Sequence, residues 1–349
     1  MTYGVMVALQ ILVLSVEVRI LLGQQKHMNK SFFITLLFLM ITPVLISGCN
    51  FHNTTGRQPS PQPFPSVTVP VMLTGQEAAE YAASHYWNRY FDSTQVWNGI
   101  SDTLIGGVTE DAMTQAVRDY IMALWSIPYD KAMEAQHHLM SLAEASTVTD
   151  TSGHIYDFIV NVMESALWNP LSELRNEGFY IPVVESVLST GRTGEHYSSY
   201  YQQQLTTCRN NAPGAYAADF TYTDAKGRLH SLYETQSEYT LLLFSNPGCP
   251  ACREIIGMLK SSPLISSMVQ DGRMGLLSIY IDEDLAEWFK DLSDYPEEWI
   301  TGYNQDLTIR DNLVYDVRAI PSLYLLDRDK KVIFKDISIG MLMLQLERL

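Results

Sequence analysis

The chain has 349 residues, 46% of them hydrophobic and 18% charged, with a formal net charge of −16; at about 100 to 200 residues per domain it is long enough for two, and its apolar content excludes a disordered chain. The acidic balance, with no clustered Lys or Arg, argues against nucleic acid and against an anionic membrane surface, both of which need basic patches. Four cysteines, Cys49, Cys208, Cys249 and Cys252, are too few for a disulfide-stapled scaffold and too unevenly spaced for a four-ligand zinc site, so no metal is expected.

Two apolar runs open the chain, residues 3–23 and 32–46. The first carries Glu17 and Arg19 in its second half, which the centre of a bilayer tolerates poorly. The second has the layout of a secretory signal: Met28, Asn29 and Lys30, then an apolar stretch of about 15 residues, then small residues. It ends Leu45-Ile46-Ser47-Gly48-Cys49, which resembles the lipobox of bacterial lipoproteins. The resemblance implies cleavage before Cys49 and a membrane anchor of lipid on that cysteine, with residues 28–48 as signal peptide and 1–27 as a gene-model extension. An uncleaved signal anchor is the alternative. Losing Arg19, Lys26, Lys30 and Glu17 with residues 1–48 leaves 20 basic and 38 acidic residues, a net −18. Asn50 is not the Asp that often marks inner-membrane retention, so the reading favours the periplasmic face of the outer membrane.

Residues 49–73 hold five prolines among Ser, Thr and Gln and read as a semi-stiff tether. From 74 to 211 the hydrophobic period is helical. Thr74 with Glu77 predicts a capping box ahead of Ala78, Tyr81, Ala82, Tyr86 and Tyr90. Further helices are predicted from Thr109 to before Pro128, over 130–145, 155–168, 181–188 and 196–208, an all-helical domain of unassigned role. His137 and His138 point about 100° apart on a helix and do not suit one metal. Trp87, Trp97, Trp125 and Trp168 read as core, with a peptide groove as the alternative.

At Ala212-Pro213-Gly214 the pattern changes to a domain spanning 212–349. A hairpin is predicted over 220–233 around the Gly227 turn, then a buried strand 240–244, helix 250–260, strand 275–281, helices 285–292 and 307–315, a hairpin of 322–326 with 331–335, and a helix after Ser338. The fold class is therefore α+β in two domains, all-helical and then α/β with a mixed sheet.

The chemistry concentrates at Cys249-Pro250-Ala251-Cys252, between a buried strand and a helix. There the free N–H groups and the positive end of the helix dipole favour the Cys249 thiolate. Two intervening residues bring Cys252 within disulfide range, where it can resolve a mixed disulfide. Half a zinc site looks the same, but the chain has no second pair; an inert structural disulfide is the plainer alternative.

Ser245-Asn246-Pro247-Gly248-Cys249-Pro250-Ala251-Cys252-Arg253 resembles the active-site turn of thioredoxin-like thiol–disulfide oxidoreductases, and Ala319-Ile320-Pro321-Ser322 resembles that family's cis-proline loop. Residues 217–220 and the Gly227 turn resemble the added hairpin of the exported branch that includes cytochrome-maturation thioredoxins. The two motifs stand in the right order, about 70 residues apart. The resemblance implies Cys249 as attacking thiolate, Cys252 as resolving thiol, a redox-active Cys249–Cys252 disulfide in place of any cofactor, and Pro321, cis after Ile320, shaping a groove whose Ile320 backbone pairs with a substrate strand. An edge-strand proline is the alternative for Pro321.

Two departures matter. Leu243 stands six residues before Cys249, where many members hold a buried proton-moving Asp, and Gly248 stands where Trp is common. Glu254, Asp282 or water are candidate proton acceptors. Asn246 occupies the position of the peroxiredoxin Thr, which makes a peroxidase the weaker reading. Cys208 reads as a buried free thiol, with a third redox cysteine as alternative. The expectation is a lipid-anchored envelope reductase or isomerase acting on exported protein thiols and disulfides, fed by a membrane or periplasmic electron donor. The competing class is a binding lipoprotein that uses the same fold as a scaffold.

Overall fold

The computed structural model describes residues 60–92, 103–192 and 194–349, the side chains of 195 and 196 excepted. The expected leader, Cys49, residues 50–59 of the tether and Trp97 lie outside them. Among the described residues, no helix is long and apolar enough to cross a membrane.

The first region holds α1 (Gly75–Ser84), α2 (Asn88–Phe91), α3 (Glu110–Leu124), α4 (Tyr129–Ser146), α5 (His154–Met163), α6 (Glu177–Thr190) and α7 (Gly194–Arg209). Thr109 caps α3 by accepting the Ala112 N–H at 3.3 Å, and Met113, Val117, Tyr120, Ile121 and Leu124 form its buried stripe. Thr74 has the extended backbone of a cap but makes no side-chain bond, so the capping box expected there does not form. The helix expected over 155–168 divides into α5 and a π-helical turn, Glu164–Trp168. Helix α6 begins earlier than its periodicity indicates, with Asn176 accepting from the Phe179 N–H at 3.0 Å; it is buried on nearly every side, which erased the polar stripe that marks a helix boundary.

Two features add to the sequence expectations. The region is not wholly helical: β1 (Leu104–Ile105) and β2 (Val108–Thr109) pair across Gly106-Gly107, both at positive φ, which is the backbone a two-residue primed turn requires. Residues 60–70, part of the expected tether, touch the helical region. Phe64 packs its ring 5.2 Å from that of Trp87 and 5.5 Å from those of Tyr86 and Tyr90, and the Gln62 N–H donates to the Gly107 carbonyl at 2.8 Å. Trp87 and Trp125 are buried, while His137 and His138 go separate ways, towards Glu185 and Asn88.

The second region is a seven-stranded mixed sheet made from β3 (Thr221–Asp224), β4 (Leu229–Ser231), β5 (Tyr239–Phe244), β6 (Met274–Tyr280), β7 (Ile300–Tyr303), β8 (Ser322–Leu326) and β9 (Val332–Phe334), in the order β4-β3-β7-β6-β5-β8-β9. Strand β5 runs parallel to β6 and antiparallel to β8, so its Leu-rich run sits between covered neighbours. Its residues alternate between two cores: Leu241 and Leu243 join the one shared with the helical region, while Leu242 and Phe244 join Phe220, Tyr315 and Tyr324 on the other face. The helices are α8 (Pro250–Ser261), α9 (Pro263–Gln270), α10 (Leu285–Asp291), α11 (Thr308–Asp311) and α12 (Ile339–Leu346).

Strand β7 and helix α9 are additions to the predicted elements, and the helix expected over 307–315 shrinks to α11, because Leu307 and Leu313 both take positive φ and break the helical path. Trp125 and Phe334 place their rings 5.7 Å apart, so the helical region and the sheet close on a common apolar seam.

Candidate functional site

The site sits where β5 ends. Gly248 turns the chain at φ +68°, a conformation costly for any residue with a Cβ, and its N–H donates to Asp291 Oδ2 at 2.7 Å. Cys249 then caps α8, with Pro250 at the first helical position, where a missing N–H costs nothing. The Cys249 Sγ accepts the Cys252 N–H at 3.4 Å. Both thiols are free; Cys249 is half-buried and Cys252 is 1% exposed. Burial pushes the Cys252 thiol up to about 12, although the Asn246 N–H, 3.4 Å from its sulfur, works the other way.

Across the turn, the Ile320–Pro321 peptide is cis, and the Ile320 carbonyl oxygen lies 4.0 Å from Cys249 Sγ. The structure thus brings together Cys249, Pro250, Ala251, Cys252, Ile320 and Pro321, from two loops far apart in sequence. The chemistry available is thiol–disulfide exchange: one sulfur reachable from outside, a second behind it, and a backbone acceptor alongside.

The residues considered for proton transfer separate. Leu243 is wholly buried among apolar side chains, and Glu254 is exposed. Asp282 accepts from Asn246 Nδ2 at 2.7 Å and pairs with Arg310 at 3.4 Å, while the Asn246 N–H faces Cys252. Sequence reasoning missed a hydroxyl cluster: Ser245 Oγ lies 2.9 Å from both Ser278 Oγ and the Tyr295 hydroxyl. Ser278 is the partner of Leu243 on the neighbouring strand. Burial raises the Tyr295 hydroxyl, with the Cys252 and Asp291 charges adding to it. A serine within the otherwise apolar strand 274–280 was the available signal. Cys208, in α7, is buried, its thiol raised by burial, and it feels the charges of Glu177, Lys335 and Arg318. Among the described residues, no group of three or more His, Cys, Asp or Glu is placed to hold a metal ion.

A solved thioredoxin-like protein from Bacteroides caccae is 32% identical to this chain and superposes with a TM-score of 0.64, over 82% of this chain and 99% of that one. The chain belongs to the thioredoxin-like family. This thioredoxin-like protein also matches, over residues 41–211, the model of a domain of unknown function, DUF5106. The C-terminal domain of an uncharacterized protein from Bacteroides fragilis is 44% identical over 40% of this chain and 99% of that one, with a TM-score of 0.39. The thioredoxin domain of a thiol–disulfide oxidoreductase from Bacteroides vulgatus is 24% identical over 39% of this chain and 96% of that one, at 0.35. No curated protein matches.

Proposed function

We propose that this thioredoxin-like protein is a thiol–disulfide oxidoreductase, a reductase or isomerase of exported proteins, held in the cell envelope by lipid on Cys49. The observation that carries the reading is the half-buried Cys249 sulfur at the start of α8, backed by the buried Cys252 and 4.0 Å from the Ile320 carbonyl beside Pro321. In reduction, the Cys249 thiolate attacks one sulfur of a substrate disulfide; that S–S bond breaks, and the departing substrate sulfur takes a proton. The Cys252 thiol then loses its proton and its sulfur attacks Cys249. The mixed disulfide breaks, the second substrate sulfur leaves as a thiol after protonation, and Cys249–Cys252 closes as a disulfide. Two electrons and two protons pass to the substrate, and an external dithiol donor in the envelope returns the site to its reduced form. No metal or cofactor is required, and the partners are exported protein thiols and disulfides together with that donor.

The test is equilibration of the protein in glutathione or dithiothreitol buffers, followed by thiol trapping. A reversible two-electron couple that disappears in Cys249→Ser supports the reading. If no couple forms, the fold acts as a scaffold and the binding class takes over.

A further inference from the structure

The segment that delivers Pro321 to Cys249 is held from the helical region at three places. At its start, Asn211 Nδ2 donates to the Val314 carbonyl at 2.8 Å, and Asn210 Nδ2 to the Leu313 carbonyl at 3.1 Å. In the middle, Arg318 lies with its guanidinium 3.5 Å from the centroid of the Trp168 ring, at the end of the π-helical turn, and donates to the Trp168 carbonyl at 2.8 Å. The same guanidinium bonds Glu177 Oε1 and ion-pairs with Asp316 at 3.0 Å. Beyond Pro321, Ser322 Oγ donates to Asp336 Oδ1 at 2.7 Å, and Asp336 is paired with Arg175 at 3.3 Å.

Glu177 is the hub. It is 2% exposed, its second oxygen lies 2.6 Å from Lys335 Nζ, and that ammonium donates to the Thr207 and Asn210 carbonyls. Glu177 and Lys335 are almost wholly buried, so removing either would leave the other an uncompensated charge in the interior. The planar Arg318 fork, stacked on Trp168 and bonded to its carbonyl and to Glu177, stands two residues before Ile320.

We infer that the helical region is a positioning element for the substrate groove, with Arg318, Trp168 and Glu177 clamping the loop that sets the Ile320 backbone beside Cys249. The inference rests on the oxidoreductase reading. It concerns the affinity for extended protein substrates and leaves the dithiol chemistry to Cys249 and Cys252. Loosening the clamp therefore acts on a substrate that pairs with the Ile320 backbone and spares a small disulfide with no peptide chain to pair.

The experiment compares the protein with Arg318→Lys, which keeps the charge facing Glu177 but removes the planar fork, and with Trp168→Leu, which leaves every charge paired. Disulfide-bonded insulin serves as the protein substrate, 5,5′-dithiobis(2-nitrobenzoate) as the small disulfide, and thermal unfolding as the check on folding. The expected result is a rise of about tenfold in KM for insulin in either variant, as for coupling through a packed network. The insulin kcat, the rate with the small disulfide and the reduction potential of the dithiol should stay within about twofold. An unchanged insulin KM in both folded variants, or a parallel loss with insulin and with the small disulfide, overturns the positioning role while leaving the oxidoreductase reading in place. A protein that reduces neither disulfide and shows no reversible couple removes that reading, and the clamp's role with it.

Discussion

On the oxidoreductase reading, attack by Cys252 on a mixed disulfide is the step where burial has its largest kinetic consequence. With Cys252 pushed up to about 12 by burial, about one molecule in 10⁵ carries the Cys252 thiolate at pH 7, against about 3% for a thiol of ordinary pKa near 8.5. Unassisted, and counting the greater nucleophilicity of the more basic thiolate, closure of the Cys249–Cys252 disulfide is thus about 10²-fold slower than for an exposed thiol, and it speeds up about tenfold for each pH unit towards 12. The two steps separate with 5,5′-dithiobis(2-nitrobenzoate): attack by Cys249 releases the first thionitrobenzoate, and attack by Cys252 on the Cys249 sulfur releases the second. Stopped-flow absorbance from pH 6 to 9 should show a second phase independent of reagent concentration and rising by about a factor of ten per unit. Cys252→Ser should abolish that phase and keep the first. A second phase that is flat with pH would refute the argument, because it would mean that a base already holds the Cys252 proton near neutrality.

Other perturbations follow from the same geometry. Leu243→Asp, at a wholly buried position in β5, exchanges apolar contacts for an unpaired carboxyl and should cost about 3 to 5 kcal/mol, read from denaturant midpoints; a loss below about 1 kcal/mol would mean that the site admits water. Gly248→Ala meets no atom within 4 Å of its added Cβ, so its cost is the +68° backbone alone, about 1 kcal/mol, seen as a fall of a few degrees in Tm. Burial outweighs Arg175 at Asp336 and raises its carboxyl to about 6. The folded state therefore holds this proton more tightly than the unfolded chain. The group's stabilisation is present below pH 4 and lost as pH rises through about 6, so the Tm of the protein minus that of Asp336→Asn should fall across that window.

Local chemistry made much of the second region legible. The strand over 239–244 announces itself as an unbroken apolar run, and the helix after it by Pro250 behind a capping cysteine. Strand β7 was illegible for a physical reason. Its Gly302, which weakens any strand signal, is there because the Tyr222 ring occupies the space: an added Cβ would lie 2.4 Å from that ring. Helix α9, opened by Pro263 and capped by Ser262, falls in the stretch between the expected helix 250–260 and strand 275–281, to which no element was assigned. The Gly106-Gly107 turn was a readable signal that the surrounding helical period masked. At the site, the two cysteines and the cis-proline loop were found because each carries a fixed local pattern. The hydroxyls of Ser245, Ser278 and Tyr295 meet only through tertiary packing.

The buried charges between the two regions were beyond any local reading. Glu177 and Arg318 are 141 residues apart, and a charged residue is by default assigned to solvent. What places Glu177 in the interior is the shape of α6, apolar on nearly every side and so obliged to sink whole, carrying its first-turn carboxylate with it. Once there, the carboxylate needs cations, and Arg318 and Lys335, from opposite sides of β8, supply them. The same demand that buries the helix therefore draws the cis-proline loop against the helical region. Burying the Glu177 carboxylate thus fixes Arg318, two residues before Ile320, against the helical region.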